Sequence, residues 1–143
     1  AVDTSGAVPF ASLARAARYC DVFLYDLKLV DEDRHREWTG VSSARILHNL
    51  RRLTEIHDGV VLRMPVVEGA NAADADMADA LAAIRGLPIR QVHLLPYHDI
   101  ARHKYRKLGR DYHGHTMAAP TADKLERFRE LFAANGYDTY IGG

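Results

Sequence analysis

Strand-type and helix-type patterns alternate along this chain, and that alternation limits its fold more than any other feature. Residues 22–28 (VFLYDLK), 60–67 (VVLRMPVV), 89–96 (IRQVHLLP) and 137–141 (YDTYI) are short runs rich in β-formers. Helix-length segments part them. Residues 9–19 place Pro9 at a first helical position ahead of a Leu13, Ala16, Ala17 stripe, and residues 31–38 predict one or two polar turns ending near Gly40. Ser42 or Ser43 caps a predicted helix running to about Ile56, with Ile46, Leu47, Leu50 and Leu53 as its core face. An Ala-rich helix is predicted over 74–85, closed by Gly86 and Pro88; Pro120 and Thr121 open a last one to Asn135, with Gly136 as its stop. Strands spaced by helices read as βαβ units and hence as parallel strands. Two architectures satisfy right-handed crossovers, an open doubly wound sheet or an arc of a β/α barrel. With 143 residues, the chain is short of the roughly 250 that eight units need, and an arc of about four units is what it can supply.

Composition narrows the partners. Lys plus Arg and Asp plus Glu each total 19, so the net charge is zero; electrostatics give no reason to expect nucleic acid or an anionic membrane as partner. No apolar run approaches the roughly 20 residues needed to span a bilayer. One cysteine, Cys20, excludes an internal disulfide and suits a reducing cytoplasm; beside a strand start it reads as a small buried hydrophobe. The chain starts without Met, and the polar Asp3-Thr4-Ser5-Gly6 turn follows only Ala1 and Val2. Ala1–Val2 therefore reads as the stump of a strand, and the chain as an excised piece. An edge and an apolar face left open in this way predict self-association.

In a parallel β/α sheet, ligands bind at the rim formed by the C-terminal strand ends. The residues falling there are Asp3 and Thr4 after the stump, Asp26 and Lys28 on the second strand, Arg63 within the third, and Tyr97 and His98 after the fourth. Asp26 and Lys28, two apart, share a strand face; they read either as a ligand-binding pair or as a strand-end ion pair. Arg63 interrupts an apolar run, and a buried Arg demands an anion or several acceptors, from a ligand or a neighbouring Asp. His98 would donate to a ligand or move a proton near neutral pH. Asp3 and Thr4 offer hard oxygen ligands to a cation, or form an ordinary polar turn. His103, His113 and His115, with His98 just before them, invite a zinc reading, but their spacing without Cys support favours a solvated basic loop with Lys104, Arg106, Lys107 and Arg110.

The same residues carry a resemblance. Asp3-Thr4-Ser5-Gly6, Asp26-Leu27-Lys28, Thr39-Gly40, Ile46-Leu47-His48-Asn49-Leu50, Arg63-Met64-Pro65, Gly69-Ala70-Asn71 and Leu94-Leu95-Pro96-Tyr97-His98 occur in that order, followed by Lys104-Tyr105 and Leu108-Gly109. Across nearly all 143 residues this resembles the C-terminal portion of the glycyl-radical-enzyme activating enzymes of the radical S-adenosylmethionine (SAM) superfamily, typified by pyruvate formate-lyase activating enzyme. The resemblance implies the C-terminal arc of a partial (β/α)6 barrel, with the cluster-binding N-terminal segment missing. It implies SAM and a [4Fe–4S] cluster in the intact parent, whose 5′-deoxyadenosyl radical takes a hydrogen atom from a glycine of a partner glycyl radical enzyme. A flavodoxin or ferredoxin would supply the electron. By motif position Asp26, Lys28, Arg63 and His98 would surround SAM, and Asp3, Thr4 and Asp26 would match a monovalent-cation site. Two departures stand out. The CxxxCxxC cluster loop is absent, and Cys20 alone cannot hold a cluster, so the chain by itself is expected to generate no radical. Ala101 stands where relatives usually have Gly. Two rival functions are a half-barrel module that binds a nucleotide or peptide without catalysis, and a non-radical β/α enzyme pairing His98 with Asp26.

Overall fold

The computed structural model describes residues 1–98 and 117–142. Among these described residues, five strands alternate with five helices: β1 Val2–Thr4, α1 Phe10–Ala16, β2 Phe23–Asp26, α2 Glu32–Thr39, α3 Ser43–Thr54, β3 Val60–Val66, α4 Asp74–Ile84, β4 Gln91–Pro96, α5 Ala122–Ala134 and β5 Asp138–Ile141. All four pairings are parallel and the strands lie in sequence order, β1-β2-β3-β4-β5. A doubly wound sheet needs its order to reverse, because only a reversal sends right-handed crossovers to the second face. Here it never reverses. The sheet is a singly wound arc, as in a β/α barrel.

Burial confirms a one-sided cover. Along β3, Val60, Leu62, Met64 and Val66 are buried while Val61, Arg63 and Pro65 are half-buried, the period-two pattern of a sheet packed on one face. The buried set joins Phe23 and Tyr25 of β2, Val92 and Leu94 of β4, and the inner stripes of α3 (Ile46, Leu50, Leu53), α4 (Met77, Ala80, Leu81, Ile84) and α5 (Leu125, Phe128, Phe132) in one core. The opposite face, which would line a barrel's interior, carries Leu24, Asp26, Val61, Arg63, His93 and Leu95, all half-buried.

Local chemistry sets the element ends. Asp31 caps α2 by accepting from Arg34 N–H at 2.8 Å, and Gly40, at φ 76°, ends it in the left-handed conformation that glycine adopts without a Cβ penalty. The expected serine cap of α3 is not formed. Ser42 holds the N-cap position without a side-chain cap; instead Glu32 reaches over from α2, accepting from Ala44 N–H at 3.1 Å and from the Ser43 and Ser42 hydroxyls at 2.8 and 3.1 Å. A carboxylate is a stronger acceptor than a hydroxyl and also complements the helix dipole. Thr121 caps α5 as expected, accepting from Lys124 N–H at 3.3 Å. The short first strand runs on through Asp3 and Thr4, which the sequence assigns to a turn, because both pair in register with Leu24 and Tyr25. This places Asp3 on the sheet. β1 and β5 are the two edges, whereas β2 is paired on both sides. No helix among the described residues is long and apolar enough to cross a membrane. Ala101, His103, His113 and His115, with the zinc reading and the basic loop around them, lie outside the described residues.

Candidate functional site

Parallel pairing sends the C-terminal ends of the strands to one rim, and register decides which side chains stand together there. Asp26, Arg63, His93 and Tyr140 are direct partners across β2, β3, β4 and β5, so they form one row on the uncovered face. Asp3, partnered with Leu24, sits on the same face one step before Asp26. Arg63 binds both acids: its Nε donates to Asp26 Oδ1 at 2.8 Å, while Nη2 lies 2.7 Å from that oxygen and 2.5 Å from Asp3 Oδ1. The side chains of Arg63 and Asp26 are 18% and 19% exposed, that of Asp3 63%. Burial works against the Arg63 cation, but the hydrogen bonds to Asp3 and Asp26 outweigh it and hold the guanidinium above its ordinary pKa. The half-buried Arg has thus found its acceptors in the chain itself.

The other rim residues are disposed differently. Lys28 lies two residues past the end of β2, exposed, and forms no ion pair with any described residue. The Asp26–Lys28 pair that their spacing allows is not made; Asp26 turns to Arg63. His98, also exposed, lies two residues beyond β4. Thr4 faces the helix side with Tyr25, and its hydroxyl accepts from Gly6 N–H at 3.0 Å. The structure therefore brings Asp3, Asp26 and Arg63 into contact, places Lys28 nearby on the same rim, and turns the Thr4 hydroxyl elsewhere.

Beside Lys28 an open, mainly apolar cleft of about 140 Å³ is lined by Trp38, Thr39, Pro65, Val67 and Met117. A second cleft of about 240 Å³, of mixed lining, lies by Ala73 at the start of α4, where Arg34 pairs with the buried Asp76 and Lys124 Nζ with Glu68 at 2.7 Å. Sequence reasoning missed the two asparagines that hold the rim. Asn71 donates to the carbonyls of Lys28 and Pro65, both at 2.6 Å, and accepts from Val67 N–H at 2.8 Å, joining the exits of β2 and β3. Asn49, on α3, donates to the carbonyls of Gly6 and Val8, both at 2.8 Å, and anchors the loop after β1. Both belong to quoted motifs, but nothing local says that their amides bridge loops 41 to 43 residues away. His93 was missed as well, since its place in the Arg63 row depends on cross-strand register.

The opposite strand ends hold Cys20, half-buried, with Sγ 3.9 Å from His57 Nε2. His57 Nδ1 accepts from Gly59 N–H at 3.1 Å, so Nε2 carries the proton and donates to the Cys20 carbonyl at 3.0 Å. Among the described residues no cluster of three or more His, Cys, Asp or Glu is arranged to hold a metal ion.

Known proteins resemble this chain. The chain is 39% identical over 145 aligned positions to the trans-4-hydroxy-L-proline dehydratase activating enzyme of Clostridioides difficile, with all of the chain matched to 48% of that protein. It is 34% identical to the pyruvate formate-lyase 2-activating enzyme of Escherichia coli K12, with all of the chain matched to 49% of that protein. The chain thus spans about half the length of the curated relatives it matches. A crystal structure of a domain of pyruvate-formate lyase-activating enzyme from Bacteroides vulgatus superimposes with a TM-score of 0.81 at 27% identity, over 99% of this chain and 80% of that one. A radical SAM methyltransferase from Sphaerobacter thermophilus shares the fold, with a TM-score of 0.72 at 18% identity over 98% of this chain and 39% of that one. No family model matches.

Proposed function

We propose that this chain, which is related over its whole length to the glycyl-radical-enzyme activating enzymes, forms the C-terminal arc of a radical SAM barrel and receives S-adenosylmethionine on its rim. The observation that carries this reading is Asp26 at the end of β2, paired with Arg63 across the ladder, with Lys28 two residues on lining an open apolar cleft.

The donor set fits a zwitterion. Lys28 presents an ammonium unpaired among the described residues, and Arg63 keeps its Nη1 edge after binding both acids through Nε and Nη2. Both favour a carboxylate. Asp26 engages Arg63 through Oδ1 and has Oδ2 left for an amino group. The Trp38, Pro65 and Val67 walls receive an apolar portion of the same ligand. His98, beyond β4, approaches the ligand from the far side of the rim. In the intact parent, SAM at a [4Fe–4S] cluster would supply radical chemistry directed at a glycine of the partner glycyl radical enzyme. The role of these residues is to bind, orient and exclude water.

A cluster does not fit this chain. It needs several thiolates, whereas Cys20 is the single cysteine and lies at the strand ends away from the rim. In this proposal the cluster cysteines, and the docking site for a flavodoxin or ferredoxin donor, belong to the rest of the parent protein.

The test is expression of the full-length parent with anaerobic iron–sulfur reconstitution, followed by assay of SAM cleavage under a low-potential reductant. Cleavage that depends on the cluster, with a glycyl radical appearing in the partner, is the expected result. A parent without a CxxxCxxC segment, or one that loads a cluster but leaves SAM intact, removes the proposal in favour of a non-catalytic binding module.

A further inference from the structure

We infer that Arg63 is this chain's own resident cation at the β1–β2–β3 rim, standing where the resemblance implies a monovalent metal ion, so that Asp3, Thr4 and Asp26 take no alkali-metal ion while Arg63 is in place. The facing oxygens of the two acids converge on one atom: Arg63 Nη2 is 2.5 Å from Asp3 Oδ1 and 2.7 Å from Asp26 Oδ1. A cation bridging these two oxygens would have to stand at that same point. The nitrogen is not free to swing aside, because the guanidinium is planar and its Nε is fixed to Asp26 at 2.8 Å. Nor can it give up its charge in a protein.

Displacement would be costly. Admitting a metal ion leaves a side chain only 18% exposed without its two acceptors, and a buried cation stripped of its partners is strongly unfavourable. If Arg63 instead kept Asp26 and yielded only Asp3, the metal would hold one carboxylate that is 63% exposed, where ion pairing is weak. The third ligand does not help. Thr4 pairs in register with Tyr25 on the helix side, and its hydroxyl is engaged by Gly6 N–H. Geometry, charge and strand alternation agree that these residues, as they stand, do not fit a metal ion. The inference concerns the chain's own side chains and holds or fails apart from the proposed function.

The experiment is thermal unfolding of this chain in sodium, potassium and tetramethylammonium chlorides at one ionic strength. The wild-type midpoints should agree within about 1 °C, whereas a site filled to about one hundred times its Kd raises the midpoint by several degrees. In Arg63→Met the two acids lose their cation. Its midpoint should fall in tetramethylammonium chloride and recover in part with sodium or potassium. A wild-type midpoint raised by either alkali ion overturns the inference. So does a folded Arg63→Met chain that ignores both ions, because the vacated acids would then not be a cation site. Should that variant fail to fold, the sodium-23 linewidth with wild-type chain decides: a line unbroadened by the chain supports the inference, and broadening reversed by potassium overturns it.

Discussion

The side-chain amide of Asn71 donates to the carbonyl of Lys28 at 2.6 Å, so the loop after β3 holds the residue whose charge faces the rim cleft. The same amide nitrogen donates to Pro65 O, and its oxygen accepts from Val67 N–H. Asn71 is 5% exposed, so truncating it strands three backbone groups away from water. Each costs about 1–3 kcal/mol when left unpaired, and partial relaxation brings the expectation for Asn71→Ala to roughly 2–4 kcal/mol by urea denaturation. Asn71→Asp should do worse at neutral pH, because a carboxylate would then face two carbonyl oxygens. Acidification that protonates the introduced Asp restores one donor, so the Asp variant should gain on wild type as pH falls. A variant as stable as wild type would show that Asn71 does not hold the rim.

Lys28 and Arg63 should separate binding from stability. Lys28 is exposed and unpaired among the described residues, so Lys28→Met should leave the unfolding midpoint unchanged. If its ammonium meets the ligand carboxylate, the full-length parent carrying the substitution should bind SAM about tenfold or more weakly, as expected for a charge-assisted hydrogen bond. Arg63→Met should damage both properties, since two acids lose their partner. Calorimetric titration of SAM beside thermal melts reads the two effects, and unaltered affinity in Lys28→Met removes that residue from the site.

Much of this was legible before any coordinates. Runs such as VVLRMPVV name their own strand, and β3 spans Val60–Val66, one residue short of the apolar run. Helix α4 likewise ends at Ile84, one residue before its predicted limit. Strand number and spacing point to parallel pairing, but they leave the sheet open or barrel-like, because that choice rests on strand order, which no local pattern encodes. The rim residues were found for the same reason that the strands were, since Asp26, Lys28 and His98 lie at or just past a strand end and Arg63 interrupts a strand's apolar run. Their partnerships were not. Asp26 could pair with Lys28 two residues away or with Arg63 across the ladder, and only the register resolves it. Asn49, Asn71 and Glu32 reach backbone 12 to 43 residues distant, beyond the reach of any window of sequence.

Glu32 sets an acid limit on the joint between α2 and α3. Hydrogen bonds from Ser43, Ala44 N–H and Ser42, with Arg36 adding a smaller share, hold its carboxyl at a pKa of about 2 against an ordinary 4.5. A carboxylate whose pKa is lowered on folding contributes stability that is fully present above about pH 4.5 and is lost as pH falls towards 2. Thermal midpoints measured across that window should decline, and Glu32→Gln should flatten part of the decline while lowering the midpoint at neutral pH. Parallel curves for the two proteins would mean that the cap contributes nothing measurable.

The loop after β1 depends on a glycine for two separate reasons. Gly6 has φ 71°, where an L side chain is strained, and a Cβ there would stand 1.7 Å from Tyr25 Oη and 2.3 Å from Cζ. The Tyr25 ring is fully buried and its hydroxyl donates to Ile46 O at 2.7 Å, so it cannot yield without leaving that carbonyl unpaired. Backbone strain and the displaced phenol together predict a loss of about 2–4 kcal/mol for Gly6→Ala. Tyr25→Phe alone should cost about 1 kcal/mol, the usual worth of one hydrogen bond. In the double variant the closest clash is gone, so the two losses should sum to more than the double variant shows, a coupling that a denaturation cycle measures. The carbonyl of Gly6 is also one of the two that Asn49 holds, so a shifted loop carries Asp3 away from Arg63. Gly6→Ala should therefore weaken the Asp3–Arg63 contact without touching either residue. Additive losses, with the Asp3 resonances unmoved by NMR, would refute this linkage.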